Sequence, residues 1–356
     1  MRNQKLTQLA QIIIRQSLEV KPLEKIQIYV STPSGMPLAR AVYQEIIDVG
    51  AMPVFEIVDE ESTAYYWLHA NKDQLNYYPG HAEFEATYFD KFVQIIAPEN
   101  LTYLNGADAK KMMARSVLVK PIKDIKLRKP WCLTYYPTPA VAQAAKMSLS
   151  QMEEFYFGAV LQDWRAVSKE MTSLANRLNK AKHLRFIGRR TDLEMETGGR
   201  VWNDTDWKCN LPGGEVFTTP VKTSVNGHIY FNFPLTHNGI TMTDIELTFK
   251  KGKVTDFSAS SHQDHLEKLL DTDAGARYLG EVAIGLNKGC KQYMDNILFD
   301  EKMAGTVHVA LGESYPECGL DNRSALHLDI IKDMRGKNDQ VLADGRVVME
   351  GGRIIM

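Results

Sequence analysis

Hydrophobic positions in the first half of the chain change repeatedly between a helical period and short apolar runs. Leu6, Leu9 and Ile13 belong to a helical pattern that predicts an amphipathic opening helix over residues 3–18. Apolar runs predict strands at 25–30, 53–58, 92–97 and 131–135, and helical periods predict helices at 38–49, 65–71 and 108–118. Strands that alternate with helices in this way are typical of a parallel sheet covered by helices.

The second half follows another pattern, in which short strands are joined by turn residues. Asn226-Gly227, Lys251-Gly252, Asp344-Gly345 and Gly351-Gly352 are hairpin signals. Helices are expected to interrupt these strands at 263–270 and 289–299, and the pattern changes near residue 180. The sequence therefore predicts an α/β domain with a mainly parallel sheet at 1–180 and an α+β domain rich in antiparallel strands at 181–356.

Composition narrows the class of protein. The 356 residues are 44% hydrophobic and 24% charged, which is ordinary for a soluble globular protein of two domains. The 42 basic and 44 acidic residues are spread along the chain and give a net charge of −2, so neither nucleic acid nor an anionic membrane surface is expected as a partner. No apolar run is long enough to span a membrane, and the first twenty residues lack the features of a signal peptide. The four cysteines are far apart, which favours reduced thiols in the cytoplasm.

Four acids and two histidines in the second half stand in or beside strand-like apolar segments. They are Glu215, Glu281, Glu301, His308, His327 and Asp329. Burying unpaired carboxylates is unfavourable by several kcal/mol each, and no lysine or arginine recurs beside them often enough to neutralise them. Two divalent cations would balance four carboxylates and leave the imidazoles as neutral ligands. The spacing of His327 and Asp329 fits a strand, because residues two apart project from the same face.

The motifs around these residues resemble those of a known family. Gly-Glu-Val-Phe at 214–217, Gly-Glu at 280–281, Asp-Glu at 300–301, His-x-Ala-Leu-Gly at 308–312, Tyr315 and His-x-Asp at 327–329 are similar to the thermophilic metallo-aminopeptidases of the aminopeptidase T and S type, which are leucyl aminopeptidase-like. The order of elements is similar throughout the chain, although only the motifs are specific. The span from Tyr315 to His327 is shorter than expected for the family, which bears on the substrate pocket more than on the metals.

This resemblance implies both a site and an activity. The six acids and histidines would be ligands of two divalent ions per subunit (Zn, Co or Mn), Glu281 would bridge them, and Tyr315 would lie beside the metals. The implied enzyme is a homodimer that removes N-terminal residues from small peptides with a metal-activated water. Glu215 or Glu281 would act as the general base, and Tyr315 would stabilise the developing oxyanion.

Two other functions compete with the aminopeptidase. His308, His327 and Asp329 alone match the two-histidine, one-carboxylate triad of a mononuclear Fe(II) dioxygenase that cleaves dihydroxypyridine rings. Glu215, Glu281 and Glu301 favour two metals over a single iron, because one Fe(II) would not need three more acids. A non-catalytic binding protein is the third hypothesis, although such a protein has no reason to keep so many desolvated acids.

Other candidate motifs are discounted. His262 and His265 follow two serines, which is typical of a solvated helix start. The segment around Ser314 has the first glycine of a Gly-x-Ser-x-Gly nucleophile elbow but lacks the second. The chain contains neither a Gly-x-Gly-x-x-Gly motif nor a P-loop. The Asp300-Glu301-Lys302 segment would also fit a solvated turn. Tyr315 would also fit an aromatic residue that only packs against its neighbours.

Overall fold

A five-stranded parallel sheet forms the centre of the first of two units into which the chain divides. The computed structural model describes residues 3–319 and 321–355. The first unit runs to residue 161 and includes 207–211, and the second contains 162–206 and the residues from 212 onward. Numbered in chain order, the strands of the first unit are β1 (Lys25–Val30), β2 (Met52–Ile57), β3 (Lys91–Ile96), β4 (Trp131–Tyr135) and β7 (Asn210–Leu211). Their order in the sheet is β2-β1-β3-β4-β7, and all neighbours are parallel.

Helices flank this sheet in the sequence. They are α1 (Gln4–Gln11), which continues into a π-helical segment (Ile12–Ser17), α2 (Met36–Asp48), α3 (Glu60–His69), α4 (Lys72–Asn76), α5 (Gly80–Tyr88), α6 (Ala109–Leu127), α7 (Pro139–Ala144) and α8 (Leu149–Val160). Ile26, Ile28 and Val30 of β1 are fully buried on one face of the sheet, and Gln27 on the other face is buried as well. The α3 helix starts earlier than its apolar period indicates, because the Asp59 side chain accepts a hydrogen bond from the Ser62 amide and caps it.

The second unit is built from antiparallel sheets. Its strands are β5 (His183–Gly188), β6 (Thr191–Glu196), β8 (Glu215–Thr218), β9 (Asn226–Tyr230), β10 (Leu235–His237), β11 (Ile240–Met242), β12 (Glu246–Lys250), β13 (Lys253–Ser258), β14 (Leu279–Gly285), β15 (Thr306–Gly312), β16 (His327–Asp333), β17 (Gln340–Ala343), β18 (Arg346–Glu350) and β19 (Arg353–Ile354). Eight strands form one sheet in the order β13-β12-β9-β6-β5-β17-β18-β19, and four form a second, which we call the cluster sheet, in the order β16-β15-β14-β8. The β10 and β11 strands pair as a separate hairpin.

Five more helices lie between residues 164 and 319. They are α9 (Trp164–Leu178), α10 (Asp206–Cys209), α11 (Gln263–Leu270), α12 (Ile297–Asp300) and α13 (Pro316–Gly319). The predicted fold class is confirmed: a mainly parallel α/β part precedes a part rich in antiparallel strands. The chain changes units at residue 161, whereas the change of sequence pattern falls near 180, after α9. The apolar face of α9, which includes Met171, Leu174 and Leu178, is buried, and the helix contacts β8 of the second unit.

Three of the four hairpin signals lie at tight turns, and the fourth does not. Lys251-Gly252 joins β12 to β13, Asp344-Gly345 joins β17 to β18, and Gly351-Gly352 joins β18 to β19. Asn226-Gly227 instead begins β9, where a Cβ on Gly227 would lie 2.0 Å from the Asp192 carbonyl oxygen. Close approach of a neighbouring strand, rather than a turn, requires this glycine.

The helix predicted at 289–299 is wrong, because only Ile297–Asp300 is helical. The Asp300 carboxylate accepts hydrogen bonds from the Met294 and Asn296 amides, so the preceding residues wrap around this side chain. Within residues 3–319 and 321–355, none of the helices has both the length and the apolar character that crossing a bilayer requires.

Candidate metal centre

One face of the cluster sheet carries five of the six predicted ligands. In the register of the sheet, Glu281 of β14 is opposite Ala310, which is opposite Asp329 of β16. His308 of β15 pairs with Ala283, and Glu215 of β8 pairs with Gly285. Side chains of paired residues project from the same face, and residues two apart share it, so His327 lies on this face with the others. Four strands distant in sequence therefore present their acids and imidazoles to one volume.

Small residues separate the candidate ligands on this face. Ala283, Ala310 and Gly285 occupy the central positions, where larger side chains would fill the space above the sheet. Both alanines are fully buried. The pattern leaves room among the carboxylates and imidazoles for ions or small molecules.

A β-bulge sets the direction of Glu281. The register between β14 and β15 shifts between Leu279 and Glu281, so Gly280 is the extra residue. A Cβ on Gly280 would lie 2.1 Å from the Glu313 carbonyl oxygen and 2.5 Å from that of Gly312. Glycine is required here by the approach of another segment, and this explains the Gly-Glu motif.

The turn before Glu215 is held by Asn287 and Asp206. Gly214 has a φ of +113°, and a Cβ there would lie 2.8 Å from the Asn287 Cβ. The Asn287 side-chain amide donates to the Gly213 carbonyl at 2.8 Å, and the Gly214 amide donates to the Asp206 carboxylate at 2.9 Å. These bonds fix the chain where it enters β8, and with it the Glu215 side chain.

The candidate ligands form two clusters. Glu215, Glu301 and His308 make the first cluster, and Glu281, His327 and Asp329 make the second; within each, ligand atoms lie within 4.8 Å of one another. The sequence prediction thus selected six residues that the fold brings together. Glu281, Glu215 and His308 are almost completely buried, and the side chains of Glu301, Asp329 and His327 are 15%, 12% and 27% exposed.

Glu281 faces both clusters. Its Oε1 lies 3.4 Å from the His308 Nε2, and its Oε2 lies 3.5 Å from the His327 Nε2. Asp329 divides its oxygens in the same way, with Oδ1 at 4.0 Å from the His308 Nε2 and Oδ2 at 3.5 Å from that of His327. A carboxylate with one oxygen towards each cluster has the arrangement of a bridging ligand.

A backbone carbonyl orients His327. Its Nδ1–H donates to the Glu313 carbonyl at 2.9 Å, which leaves Nε2 facing Glu281 and Asp329. Ligating histidines are commonly held in one tautomer by such a bond. Tyr315 lies beside this ring, with its hydroxyl 3.4 Å from the His327 Nε2 and its own ring edge-on to Phe217. The partly exposed phenol can reach a substrate at the clusters.

The carboxylates create a strongly negative potential in the two clusters. Burial alone would lower the pKa of His308, but Glu281, Glu215 and Asp329 outweigh it and raise that pKa to about 9. Burial would also lower the pKa of His327, but Asp329 and Glu281 outweigh it and raise that pKa to about 10. Burial raises the pKa of Glu215 and of Glu281, and the neighbouring acids Glu301 and Asp329 respectively add to the shift. The pKa of Asp329 is lowered, because the hydrogen bond and charge of His327 outweigh its burial. A site where both imidazoles and two of its acids gain affinity for protons favours bound cations.

The expectation that no lysine or arginine neutralises the acids is wrong, because Lys302 lies among them. Lys302 is fully buried, and its Nζ lies 2.5 Å from the Glu215 Oε1, 2.6 Å from the Glu301 Oε1 and 3.4 Å from the Asp206 Oδ2. Asp206, which is buried, is a fifth acid of this site that the sequence analysis did not identify. Since Lys302 and Asp206 carry opposite charges, they add no net charge, and four carboxylates remain for the cations to balance. Only the adjacency of Lys302 to Glu301 could have indicated this pair.

The Asp300-Glu301-Lys302 segment is not a solvated turn. Asp300 and Lys302 are 1% and 0% exposed, and Asp300 is tied to two backbone amides. Burial raises the pKa of Asp300 to about 8 against the opposing effect of those amides. His262 and His265 belong to neither cluster, and the His265 Nε2 lies instead 3.2 Å from the Nδ1 of His237.

The donor set fits divalent metal ions. Glu215 Oε2 and Asp329 Oδ1 are buried and have no hydrogen-bond partner among the described residues, although both lie towards the His308 Nε2. Buried carboxylate oxygens are normally paired, so these two are oriented for a ligand. Imidazole nitrogen combined with carboxylate oxygen suits zinc and the neighbouring divalent transition metals.

The whole chain is similar to proteins of one known family. A family model described as thermophilic metalloprotease (M29) matches residues 2–354. Aminopeptidase 2 of Geobacillus stearothermophilus is 30% identical over 94% of this chain and 89% of its own, and aminopeptidase PepS of Streptococcus thermophilus is 24% identical over 90% of each. The solved structure of wild-type AmpT from Thermus thermophilus superposes with a TM-score of 0.86 at 23% identity and covers 99% of both chains.

Proposed function

The chain belongs to the thermophilic metalloprotease family M29, and we propose that it is an aminopeptidase that holds two divalent cations in its two clusters and removes N-terminal residues from short peptides. The observation that carries the two-metal part is the double cluster with Glu281 directed at both halves. Glu215, Glu301 and His308 would hold one ion, His327 and Asp329 the other, and Glu281 both. Bound there, such ions would polarise a scissile carbonyl and acidify a water molecule.

The chain's own groups account for the remaining steps. The Tyr315 phenol can donate a hydrogen bond to the oxygen of the scissile carbonyl as negative charge develops on it. A carboxylate of Glu215 or Glu281 takes the proton of the attacking water and returns it to the leaving amine. The acids that are close to the clusters also favour a positively charged amino terminus, which would limit cleavage to the first peptide bond. Zinc, cobalt and manganese all suit the donors.

Two further features remain part of the proposal. A homodimer that encloses the site would restrict access to small peptides, and the four cysteines, which form no disulfide in the described part of the chain, are consistent with a cytoplasmic protein.

The dioxygenase alternative receives less support. It requires His308, His327 and Asp329 to surround one iron, but the two histidines fall in different clusters, each with its own acids. A single Fe(II) has no electrostatic need for Glu215, Glu281 and Glu301.

The test is hydrolysis of a panel of aminoacyl chromogenic amides by purified protein. Activity should disappear in chelator, return with zinc, cobalt or manganese, and be absent on the matched N-acetylated amides, and about two ions should be bound per chain. Hydrolysis of the N-acetylated amides would instead indicate an endopeptidase or amidase. About one iron per chain, with oxygen uptake on a hydroxylated aromatic and no amide cleavage, would establish the dioxygenase.

A further inference from the structure

Lys302 is the most deeply enclosed charged group beside the clusters. Its side chain is 0% exposed, and its ammonium contacts Glu215, Glu301 and Asp206. Three carboxylates surround this nitrogen, and each is an acceptor for a charged ammonium. The lysine is therefore a positive charge held inside the protein by its contacts.

Its contacts select which ligand oxygens face the first cluster. Lys302 occupies Oε1 of Glu215, and the unpartnered Oε2 is left 3.4 Å from the His308 Nε2. It also occupies the Oε1 of Glu301. The ammonium thus holds two of the three members of the first cluster, and among the described residues no lysine or arginine ion pair involves the second cluster.

Lys302 itself is held by the backbone that positions Glu215. The backbone N–H of Asn287 donates to the Lys302 carbonyl at 2.8 Å. The side-chain amide of Asn287 donates to the Gly213 carbonyl. Asp206 links the same two segments, because it accepts from the Gly214 amide and pairs with the Lys302 ammonium. The lysine is thereby part of the scaffold, and its nitrogen is fully buried.

We propose that Lys302 is a positioning residue that serves as a resident counter-charge of the first cluster. It holds Glu215 and Glu301 together before any ion binds, so the site is formed in the metal-free protein. The ammonium contacts ligand oxygens of the first cluster directly, so at short range it repels a divalent cation more than the zero net charge of the Lys302–Asp206 pair implies, and the first cluster binds its ion more weakly than the second. This inference rests on the proposed metal centre.

The experiment compares the wild type with Lys302→Met, which keeps an unbranched side chain one atom shorter and removes its charge. The melting temperature of chelator-treated Lys302→Met should fall by about 10 °C or more, since three carboxylates withdrawn from water lose their partner. Saturating zinc should recover most of this loss. Calorimetric titration of the wild type should show a tight and a weak site, and the weak site should become at least about tenfold tighter in the variant.

Lys332→Met is the matched control. Lys332 is also buried in the second unit, but its Nζ donates to the Tyr230 carbonyl and it contacts none of the ligands. Its loss should lower the melting temperature equally with and without metal. The double variant Lys302→Met with Asp206→Asn removes one negative charge together with the lysine and should regain part of the metal-free stability.

Several results would overturn the inference. The first two are a Lys302→Met protein whose metal-free melting temperature is unchanged, and one whose melting temperature falls equally with and without metal. The others are weaker metal binding by Lys302→Met, and a Lys302→Met protein that stays unfolded in saturating metal while Lys332→Met folds. A wild type that binds no divalent ion would refute the metal centre as well, whereas normal wild-type binding with any of these results refutes only the role of Lys302.

Discussion

Replacing Gly280 by alanine tests whether the bulge in β14 positions the second cluster. The added Cβ would lie 2.1 Å from the Glu313 carbonyl oxygen, although such contacts essentially never fall below 3.0 Å, so the two segments must separate by about 1 Å. Both atoms belong to fixed backbone, because the Gly280 carbonyl accepts from the Thr219 hydroxyl and the Glu313 carbonyl from the His327 Nδ1–H. Movement of either segment displaces Glu281 or His327.

The magnitude follows from this displacement. A misplacement of about 1 Å reduces turnover by roughly 100-fold, and metal–ligand distances tolerate only about 0.2 Å. Overpacking should lower the free energy of unfolding by about 1–3 kcal/mol. We expect Gly280→Ala to retain the ion of the first cluster, to lose that of the second, and to hydrolyse aminoacyl amides about 100-fold more slowly.

The assays are metal content per chain, amide hydrolysis and thermal unfolding. Gly158→Ala is the control, because a Cβ at this position of α8 meets nothing within 4 Å and should stabilise the helix by about 0.5–1 kcal/mol. A Gly280→Ala protein with full metal content and wild-type turnover would refute the reasoning that the bulge positions these ligands.

Three further outcomes are expected. Glu281→Gln should reduce metal affinity by more than about 100-fold, whereas Glu317→Gln, a change in an exposed acid of α13, should leave metal content and turnover unchanged; equal metal content in both variants would contradict the bridging role. Tyr315→Phe should keep its metal, as elemental analysis can verify, and lose about 100-fold or more in kcat, while an unaltered kcat would remove the phenol from the mechanism. Chelation should abolish amide hydrolysis and lower the melting temperature, and metal restored at about 100 times its Kd should return about 2.7 kcal/mol of stability; a melting temperature insensitive to metal would argue against the centre.

The predicted ligands came together because their sequence signals reflect burial. Glu281 and His308 stand among apolar residues in strands with no exposed position, so their charge required an explanation before any contact was known. The one-residue spacing of His327 and Asp329 identified a shared strand face directly, and β16 has that geometry. Local pattern therefore revealed which groups are withdrawn from water.

What the sequence did not reveal depends on pairing between distant segments. Lys302 and Asp206 are close in space but 96 positions apart in the chain, and neither stands in a distinctive motif. The role of Gly280 depends on the carbonyls of Gly312 and Glu313, and that of Gly227 on Asp192. The failed helix at 289–299 has the same cause, because Asp300 binds backbone amides that a helix would have used internally.

The alanines on the cluster sheet have a further consequence. Ala283 lies on the strand between those of Glu215 and His308, and Ala310 lies on the strand between those of Glu281 and Asp329. Peptide hydrogen bonds hold neighbouring strands about 4.8 Å apart, so the strands that supply each of these two pairs are separated by about twice that distance and their side chains meet above an alanine. The main chain then sets the separation of the strands that supply the ligands, and substrate preference would have to diversify in the connecting segments instead.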